Sequence, residues 1–388
     1  MKDYYYHSYN APKKTKKIFK FQIVLVVIVA TIAFYYISGA EPVTYKPEIA
    51  ELEVNLPEGD INLPWPKYGH SALGEINSGI LSESKGSDEQ VPIASVAKVM
   101  TAYAILKKQP LNPGETGPEY QLTEDDKNIY NKYFFKDGSV TTVKPGIKIN
   151  QYQALQAILI KSSNNMADSM VERVFGSMDE YLNYSNQLAG ELGLENTVIA
   201  DASGFSPKTK SSANDLVKLG AIALSDPVFK EIVGTWQTKI PGHGTITSTN
   251  LFLDYQNNGV IGIKTGYTDE AEGTYLGAME FKKSGQSLTL ITAALGSKSH
   301  FGAQQDAINI MSASKKHFKE TVVIKKGTEI ARYQNSKAVM RDDALILVWP
   351  GQEIKVEYKL DEFGQLPTPQ TEAGKIIINN QEFSVVIE

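Results

Sequence analysis

The sequence carries a serine and a lysine at a spacing that suits nucleophilic catalysis. In residues 91–101, VPIASVAKVMT, Ser95 and Lys98 lie three positions apart at the start of an apolar helical pattern, so both project from one face if the helix begins near Ser95. A serine hydroxyl needs a base within hydrogen-bond reach, and a lysine can serve once burial or a nearby cation lowers its pKa. The spacing alone is not specific, because it recurs at Ser82/Lys85 and Ser312/Lys315.

Two more short patterns could complete such a site. Ser162 and Asn164 lie between two helical runs, where a loop can direct a hydroxyl and an amide into a cleft. Lys264-Thr265-Gly266 ends an apolar run, and a glycine there lets a substrate backbone approach the strand closely. Each pattern also recurs elsewhere, at Ser163/Asn165, Ser212/Asn214, Ser248/Asn250 and Lys283-Ser284-Gly285.

Composition narrows the classes of function. The 388 residues are 42% hydrophobic, enough for two globular domains. The net charge is -5, and the lysine-rich residues 1–20 leave the remaining chain at about -10, which argues against nucleic acid as a partner. The absence of cysteine excludes disulfides, thiolate nucleophiles and Cys-bound zinc. The five histidines lack a metal-binding spacing, so we expect them to be surface or internally satisfied residues, and we expect no cofactor.

The N-terminal region predicts membrane attachment. Residues 21–38 form an uncharged, largely apolar stretch, and its first seventeen residues, 21–37, would span roughly 26 Å as a helix at about 1.5 Å per residue. Lysines precede it within residues 1–20 and glutamates follow it, which predicts a basic cytoplasmic tail and a body outside the cytoplasmic membrane. A cleaved signal peptide and a secreted protein are the alternative, since Ser38-Gly39-Ala40 suits a signal peptidase. The proline-rich residues 39–66 predict an extended stalk.

The chain beyond residue 66 predicts a mixed α/β domain and then an all-β domain. Within residues 67–319, strand-like runs lie before and after a series of helical patterns, so the sheet should draw strands from both ends. The helical patterns cover residues 95–107, 151–161, 166–175, 178–192, 213–224 and 301–318. Residues 109–149 are predicted to be loop-rich, and we expect the aromatic residues near 130–135 to pack rather than to cap a cleft. Residues 320–388 contain short strands divided by turn residues.

The three chemical patterns, taken in this order, resemble those of the serine penicillin-recognising enzymes: Ser-x-x-Lys at a helix start, Ser-x-Asn between helices and Lys-Thr-Gly on a sheet edge. From about residue 68 onward the chain is most similar to low-molecular-mass penicillin-binding proteins that act as D-alanyl-D-alanine carboxypeptidases. The supporting segments are DASGF (201–205), SSAND (211–215), STNLF (248–252) and IKTGYTDEA (263–271). The resemblance implies an α/β (α+β) transpeptidase-like domain, with an antiparallel sheet flanked by helices and a helical subdomain, followed by a small β sandwich.

The resemblance also implies a role for each site residue. Ser95 would be the acylated nucleophile, Lys98 its general base, and Ser162 a proton relay. The substrate-binding residues would be Asn164, Lys264, Thr265, Gly266 and Tyr267. Backbone N–H groups of Ser95 and Tyr267 would form the oxyanion hole, and Lys264 would help to keep Lys98 neutral. The implied substrate is a peptidoglycan stem peptide, with β-lactam antibiotics as covalent inhibitors.

Several alternatives remain open at the level of sequence. A DD-endopeptidase that cuts cross-links would use the same residues. A β-lactamase needs an additional glutamate, and no Glu-x-x-x-Asn occurs between Asn164 and Lys264. A non-catalytic cell-wall or antibiotic sensor would not need the intact set of polar residues. A Ser-His-Asp hydrolase would need a Gly-x-Ser-x-Gly turn, which is absent. The chain departs from the family in its strand-like C-terminus and in residues 269–273 after the Lys-Thr-Gly pattern.

Overall fold

The computed structural model describes residues 43–253 and 259–388. The predicted anchor, residues 21–38, lies outside this range. Within the range, no helix combines the length and the apolar character that crossing a membrane requires.

Eight α-helices occur in the described residues. In chain order they are α1 (Lys98–Lys108), α2 (Glu124–Phe134), α3 (Gln151–Leu159), α4 (Asn164–Phe175), α5 (Met178–Glu191), α6 (Ala213–Leu224), α7 (Pro227–Val233) and α8 (His300–Ser314). Two short 3₁₀ helices cover Ala94–Ala97 and Leu251–Leu253. Several helices begin at a side chain that caps the backbone; Ser212, for example, accepts from the N–H of Asp215 at the start of α6.

The strands that the structure describes belong to one five-stranded sheet, one six-stranded sheet and several two-stranded ribbons. In chain order they are β1 (Glu48–Ile49), β2 (His70–Glu75), β3 (Gly79–Glu83), β4 (Val91–Pro92), β5 (Glu119–Gln121), β6 (Lys148–Asn150), β7 (Lys210–Ser211), β8 (Gln237–Ile240), β9 (Gly244–Thr247), β10 (Val260–Thr268), β11 (Glu272–Lys283), β12 (Gln286–Ser297), β13 (Lys319–Ile324), β14 (Glu329–Tyr333), β15 (Ser336–Met340), β16 (Ala344–Val348), β17 (Val356–Leu360), β18 (Glu372–Ile378) and β19 (Gln381–Ile387).

The five-stranded sheet is antiparallel and has the order β10-β11-β12-β2-β3, so it combines strands from both ends of the first domain as the sequence predicted. Its two faces are both covered. Ala72 and Ile291 lie in one hydrophobic cluster with α1, α4 and α6, whereas the neighbouring Leu73 and Leu290 lie in another with α8. The alternation of side chains along each strand therefore separates two cores. Strand β10 is left at the edge of the sheet.

The C-terminal residues form the predicted β structure in two layers. A six-stranded sheet has the order β1-β14-β15-β19-β18-β17, and β13 pairs with β16 in a separate ribbon. Side chains from both share one core, which includes Val323 of β13, Ile346 of β16 and Ile376 of β18. This β domain contacts the first domain through Trp349, which is fully buried with Phe318 and residues of α8.

Two regions differ from their predicted character. Residues 109–149 contain α2, which begins with a capping box between Thr123 and Asp126 and is not a loop. The described part of the predicted stalk is extended, but it lies against the protein: β1 pairs with β14, and Tyr45 forms a β-bridge with Phe363. The segment lies against the protein because its main chain pairs with an open sheet edge. The proline content, on which the stalk prediction is based, gives no information about such pairing.

Candidate active site

Ser95 and Lys98 lie side by side where helix α1 begins. Ser95 is in the 3₁₀ turn Ala94–Ala97, and Lys98 is the first residue of α1. The Nζ atom of Lys98 is 2.8 Å from the Oγ atom of Ser95. It also lies 2.7 Å from the side-chain oxygen of Asn164 and 2.7 Å from the backbone oxygen of Ser203.

These three contacts hold the amine of Lys98 in place in both of its protonation states. A neutral lysine has two N–H bonds and one lone pair, and a carbonyl oxygen can only accept a hydrogen bond. The oxygens of Asn164 and Ser203 therefore take both N–H bonds. In the protonated form the third N–H donates to the Oγ atom of Ser95. In the neutral form the lone pair faces the hydroxyl proton of Ser95 instead, which is the arrangement that a general base requires.

The surroundings of Lys98 favour this neutral form. Its side chain is fully buried, and burial lowers its pKa to about 7 against the opposing attraction of Asp201 and Asp168. Burial and the nearby Lys98 also lower the pKa of Lys264 well below its ordinary value. Burial is thus the largest cause of the lowered pKa of Lys98, and the repulsion between the two lysines is evident in the lowered pKa of Lys264. The expectation that Lys264 helps to keep Lys98 neutral stays a prediction.

The second pattern separates into two pairs with different contacts. Asn164 reaches Lys98, whereas the adjacent Asn165 accepts from the N–H of Thr141 at 3.0 Å and donates to its oxygen at 3.0 Å. Ser163 caps α4 and also accepts from the N–H of Thr141. The Ser163/Asn165 pair therefore ties a loop to the helix, and only Asn164 joins the lysine.

Ser162 is placed next to this group without touching the lysine. It is buried and adopts a left-handed backbone with φ of 64°. In the described part of the chain, the hydrogen bonds of Lys98 Nζ go to Ser95, Asn164 and Ser203, and none goes to Ser162. The predicted relay role of Ser162 thus stays a prediction.

The third pattern lies on the edge strand β10, close to Ser95. Lys264 and Thr265 are almost fully buried, and Tyr267 is half exposed. A Cβ atom built on Gly266 would lie 2.9 Å from the backbone nitrogen of Ser95 and would overlap the hydroxyl of Thr274. Thr274 on β11 in turn donates to the oxygen of Ile93 at 3.2 Å, so the sheet holds the turn that carries Ser95.

Three residues that contact the site residues or their neighbours were missed by the sequence patterns. Ser203 accepts from Lys98 through its backbone, which any residue type could do. The next residue, Gly204, has φ of 71°, and a Cβ there would collide with the carbonyl of Ala94. Thr249 shares a hydrogen bond of 2.6 Å with Thr265. The segments DASGF and STNLF contain these residues, so the resemblance marked their location but not their contacts.

Comparison with known proteins identifies the family. The family model for D-alanyl-D-alanine carboxypeptidase matches residues 68–299, so the chain belongs to this family of serine peptidases. It is 27% identical over 266 residues to the D-alanyl-D-alanine carboxypeptidase DacA of Escherichia coli K12, covering 67% of this chain and 63% of DacA. It is 30% identical over 192 residues to a D-alanyl-D-alanine endopeptidase of Haemophilus influenzae, covering 49% of this chain and 62% of that protein. The chain thus spans less than two-thirds of the length of either relative.

The fold is also that of a known structure. The crystal structure of penicillin binding protein 5 from Haemophilus influenzae superposes with a TM-score of 0.62 at 20% identity. The superposition covers 84% of this chain and 98% of that protein. This agreement concerns the mixed α/β fold with its antiparallel sheet and C-terminal β domain.

Proposed function

We propose that this protein is a serine-type D-Ala-D-Ala carboxypeptidase that removes the terminal D-alanine from peptidoglycan stem peptides. The observation that carries the proposal is the position of the Lys98 amine. It is buried, donates to the oxygens of Asn164 and Ser203, and lies 2.8 Å from the hydroxyl oxygen of Ser95. Lys98 takes the hydroxyl proton as the Oγ of Ser95 attacks the carbonyl carbon of the penultimate residue. The proton then passes to the leaving amine of D-alanine, and water later hydrolyses the ester on Ser95.

The substrate would lie along the edge strand β10. An open edge offers backbone groups to an extended peptide, which would pair beside Lys264, Thr265 and Tyr267. The terminal carboxylate would bind Lys264 and Thr265. Because the pKa of Lys264 is low in the free site, the arriving carboxylate would favour its protonated form. Asn164 would hold the substrate amide and Ser162 would relay the proton.

The developing oxyanion would be stabilised by backbone N–H groups of Ser95 and Tyr267. Donors of this kind are preorganised because their peptide units are fixed before the substrate arrives. The close approach of Gly266 to the nitrogen of Ser95 supports this assignment, since it brings the two segments that carry the donors together. β-Lactam antibiotics would acylate Ser95 by the same route and remain attached.

We also propose that the enzyme works outside the cytoplasmic membrane. The support is the apolar stretch of residues 21–38 with lysines before it and acidic residues after it. The stretch would act as an anchor, with residues 1–20 in the cytoplasm, or would be removed as a signal peptide to give a secreted enzyme. We further propose that residues 67–319 form the peptidase domain and residues 320–388 the C-terminal all-β domain.

A DD-endopeptidase is the second candidate, because a relative of 30% identity carries that name. The purified protein should be incubated with a pentapeptide ending in D-Ala-D-Ala and, separately, with a cross-linked peptide dimer. Carboxypeptidase activity releases free D-alanine from the pentapeptide, and endopeptidase activity converts the dimer into monomers. The Ser95→Ala variant is the control for both reactions. Release of neither product by the folded wild-type protein would contradict both functions.

A further inference from the structure

Helix α2 reaches the catalytic region through two adjacent side chains. Tyr133 is buried, and its hydroxyl donates to the Oδ2 atom of Asp168 at 2.8 Å. Lys132 is more than half exposed, and its Nζ atom lies 3.0 Å from the same oxygen. Asp168 itself is almost fully buried on α4. The helix therefore brings a surface cation and a phenol to one internal carboxylate.

This carboxylate is connected to both acceptors of Lys98, to Asn164 through helix α4 and to Ser203 through Tyr133. Asp168 follows Asn164 by four residues on α4, so the two side chains share a helix face. The hydroxyl of Tyr133 is also 3.4 Å from the hydroxyl of Ser203, whose backbone oxygen accepts from Lys98. Tyr133 and Ser203 thus connect Asp168 to the amine of Lys98, and no hydrogen bond in the described residues joins Asp168 to that amine directly.

We propose that Asp168, held by Tyr133 and Lys132, is a positioning residue whose buried negative charge keeps the Lys98 amine basic enough to accept the Ser95 proton near neutral pH. This inference rests on the proposed function, because it assigns a task within the same acylation step. Burial alone makes an amine a weaker base, and a general base works best when its affinity for protons matches the working pH. A nearby carboxylate that does not touch the amine restores basicity and leaves the lone pair free.

Of the charged groups near Lys98, Asp168 is the one that can be replaced with the least effect on other contacts. The others are Lys264 on β10, whose pKa Lys98 lowers, and Asp201, which acts on Lys98 from the loop that follows α5. Asp201 accepts from the hydroxyl of Ser203 at 2.8 Å and the N–H of Phe205 at 2.9 Å, so its replacement would also remove hydrogen bonds that hold that loop. Asp168 makes its contacts only with Lys132 and Tyr133 among the hydrogen bonds of the described residues.

The contacts from α2 favour the charged form of Asp168. Burial raises the pKa of Asp168, while Lys132 and the hydroxyl of Tyr133 oppose that rise. The attraction of Asp168 in turn opposes the lowering of the Lys98 pKa by burial. Helix α2 therefore acts on the catalytic lysine through Asp168, and removing the Tyr133 hydroxyl should have the same sign of effect as removing the carboxylate.

The test is the pH dependence of acylation by a fluorescent penicillin. For the full chain, the acylation rate is measured between pH 5 and 9 for wild type, Asp168→Asn and Tyr133→Phe. We expect the acid limb of Asp168→Asn to move to lower pH by at least about half a unit, because removing a negative charge that acts on the amine makes Lys98 a weaker base. Tyr133→Phe keeps its ring against Phe205 and should shift the limb less, in the same direction.

The matched control is Asp126→Asn. Like Asp168, Asp126 is a buried carboxylate, but it lies on α2 and pairs with Arg173. It is not one of the groups that act on Lys98. Its loss should lower the melting temperature and leave the pH profile unchanged. Superimposed profiles for wild type, Asp168→Asn and Tyr133→Phe would overturn the inference. If Asp168→Asn does not fold, the profile of Tyr133→Phe decides alone. A wild-type protein that is never labelled would instead contradict the proposed function.

Discussion

The backbone of Gly266 packs against the backbone nitrogen of Ser95 so closely that a Cβ atom at position 266 would lie 2.9 Å from that nitrogen. This contact joins residues 171 positions apart and places the edge strand against the turn that carries Ser95, the proposed nucleophile. Its tightness leaves no room for a side chain, because Thr274 occupies the other side. The geometry of the proposed oxyanion site should therefore respond to a single methyl group.

We predict that Gly266→Ala lowers the acylation rate by about 10²–10³, the loss typical of removing one oxyanion donor, because the strand must move away from Ser95. The control is Gly190→Ala. Gly190 lies in α5, and a Cβ there would meet no atom within 4 Å, so this change should stabilise the protein by about 0.5–1 kcal/mol and leave the rate unchanged. Equal rates for the two variants would show that the contact is unimportant.

Lys98→Met should lower the acylation rate by about 10²–10⁴, because the variant has no base to accept the Ser95 proton. The oxygens of Asn164 and Ser203 also lose their donor, so the melting temperature should fall. Lys107→Met changes an exposed lysine of the same helix and should retain the wild-type rate. Pre-steady-state labelling measures both, and retention of the full rate by Lys98→Met would exclude its role as base.

The two buried lysines should make stability depend on pH. Lys98 has a pKa of about 7 in the folded protein and an ordinary value of 10.5, and the pKa of Lys264 is lowered in the same direction. Between these limits the unfolded chain binds more protons, so the free energy of unfolding should increase as pH rises from about 7 to about 10.5. Denaturant titrations of wild type and Lys98→Met test this, and parallel pH dependences would argue against a neutral buried Lys98.

The junction with the β domain should contribute strongly to stability. Trp349 is fully buried against Phe318, so Trp349→Ala should lower the free energy of unfolding by about 3–5 kcal/mol. Leu345 belongs to the neighbouring strand β16 and is 43% exposed, so Leu345→Ala should change it by less than about 0.5 kcal/mol. Chemical denaturation measures both. A small effect of Trp349→Ala would mean that the two domains unfold independently.

The sequence predicted those parts of the molecule that depend on local pattern. The helix predicted over residues 213–224 has those bounds in the structure, because Ser212 caps it and apolar residues follow at helical spacing. Helix α2 was missed although Thr123 and Asp126 form a capping-box signal, since the aromatic and charged residues after it give a weak periodic pattern. The contacts of Ser203, Asp168 and Tyr133 could not be predicted, because they join segments whose approach only the fold determines.

The contacts of individual site residues also depend partly on local sequence and partly on the fold. The Ser162/Asn164 and Ser163/Asn165 pairs have identical spacing, and only the turn between α3 and α4 decides that Asn164 reaches Lys98. The balance of charges at Lys98 likewise depends on burial, which a sequence does not report.

The central claim is that Ser95 is the nucleophile and that Lys98 activates it. The most direct measurement is to react the full-length protein with a fluorescent penicillin, digest it and identify the labelled peptide by mass spectrometry. We predict one acylated residue, Ser95, with no label in Ser95→Ala and slow labelling in Lys98→Met. A label on Ser162 or another residue, or undiminished labelling of Ser95→Ala, would contradict the account.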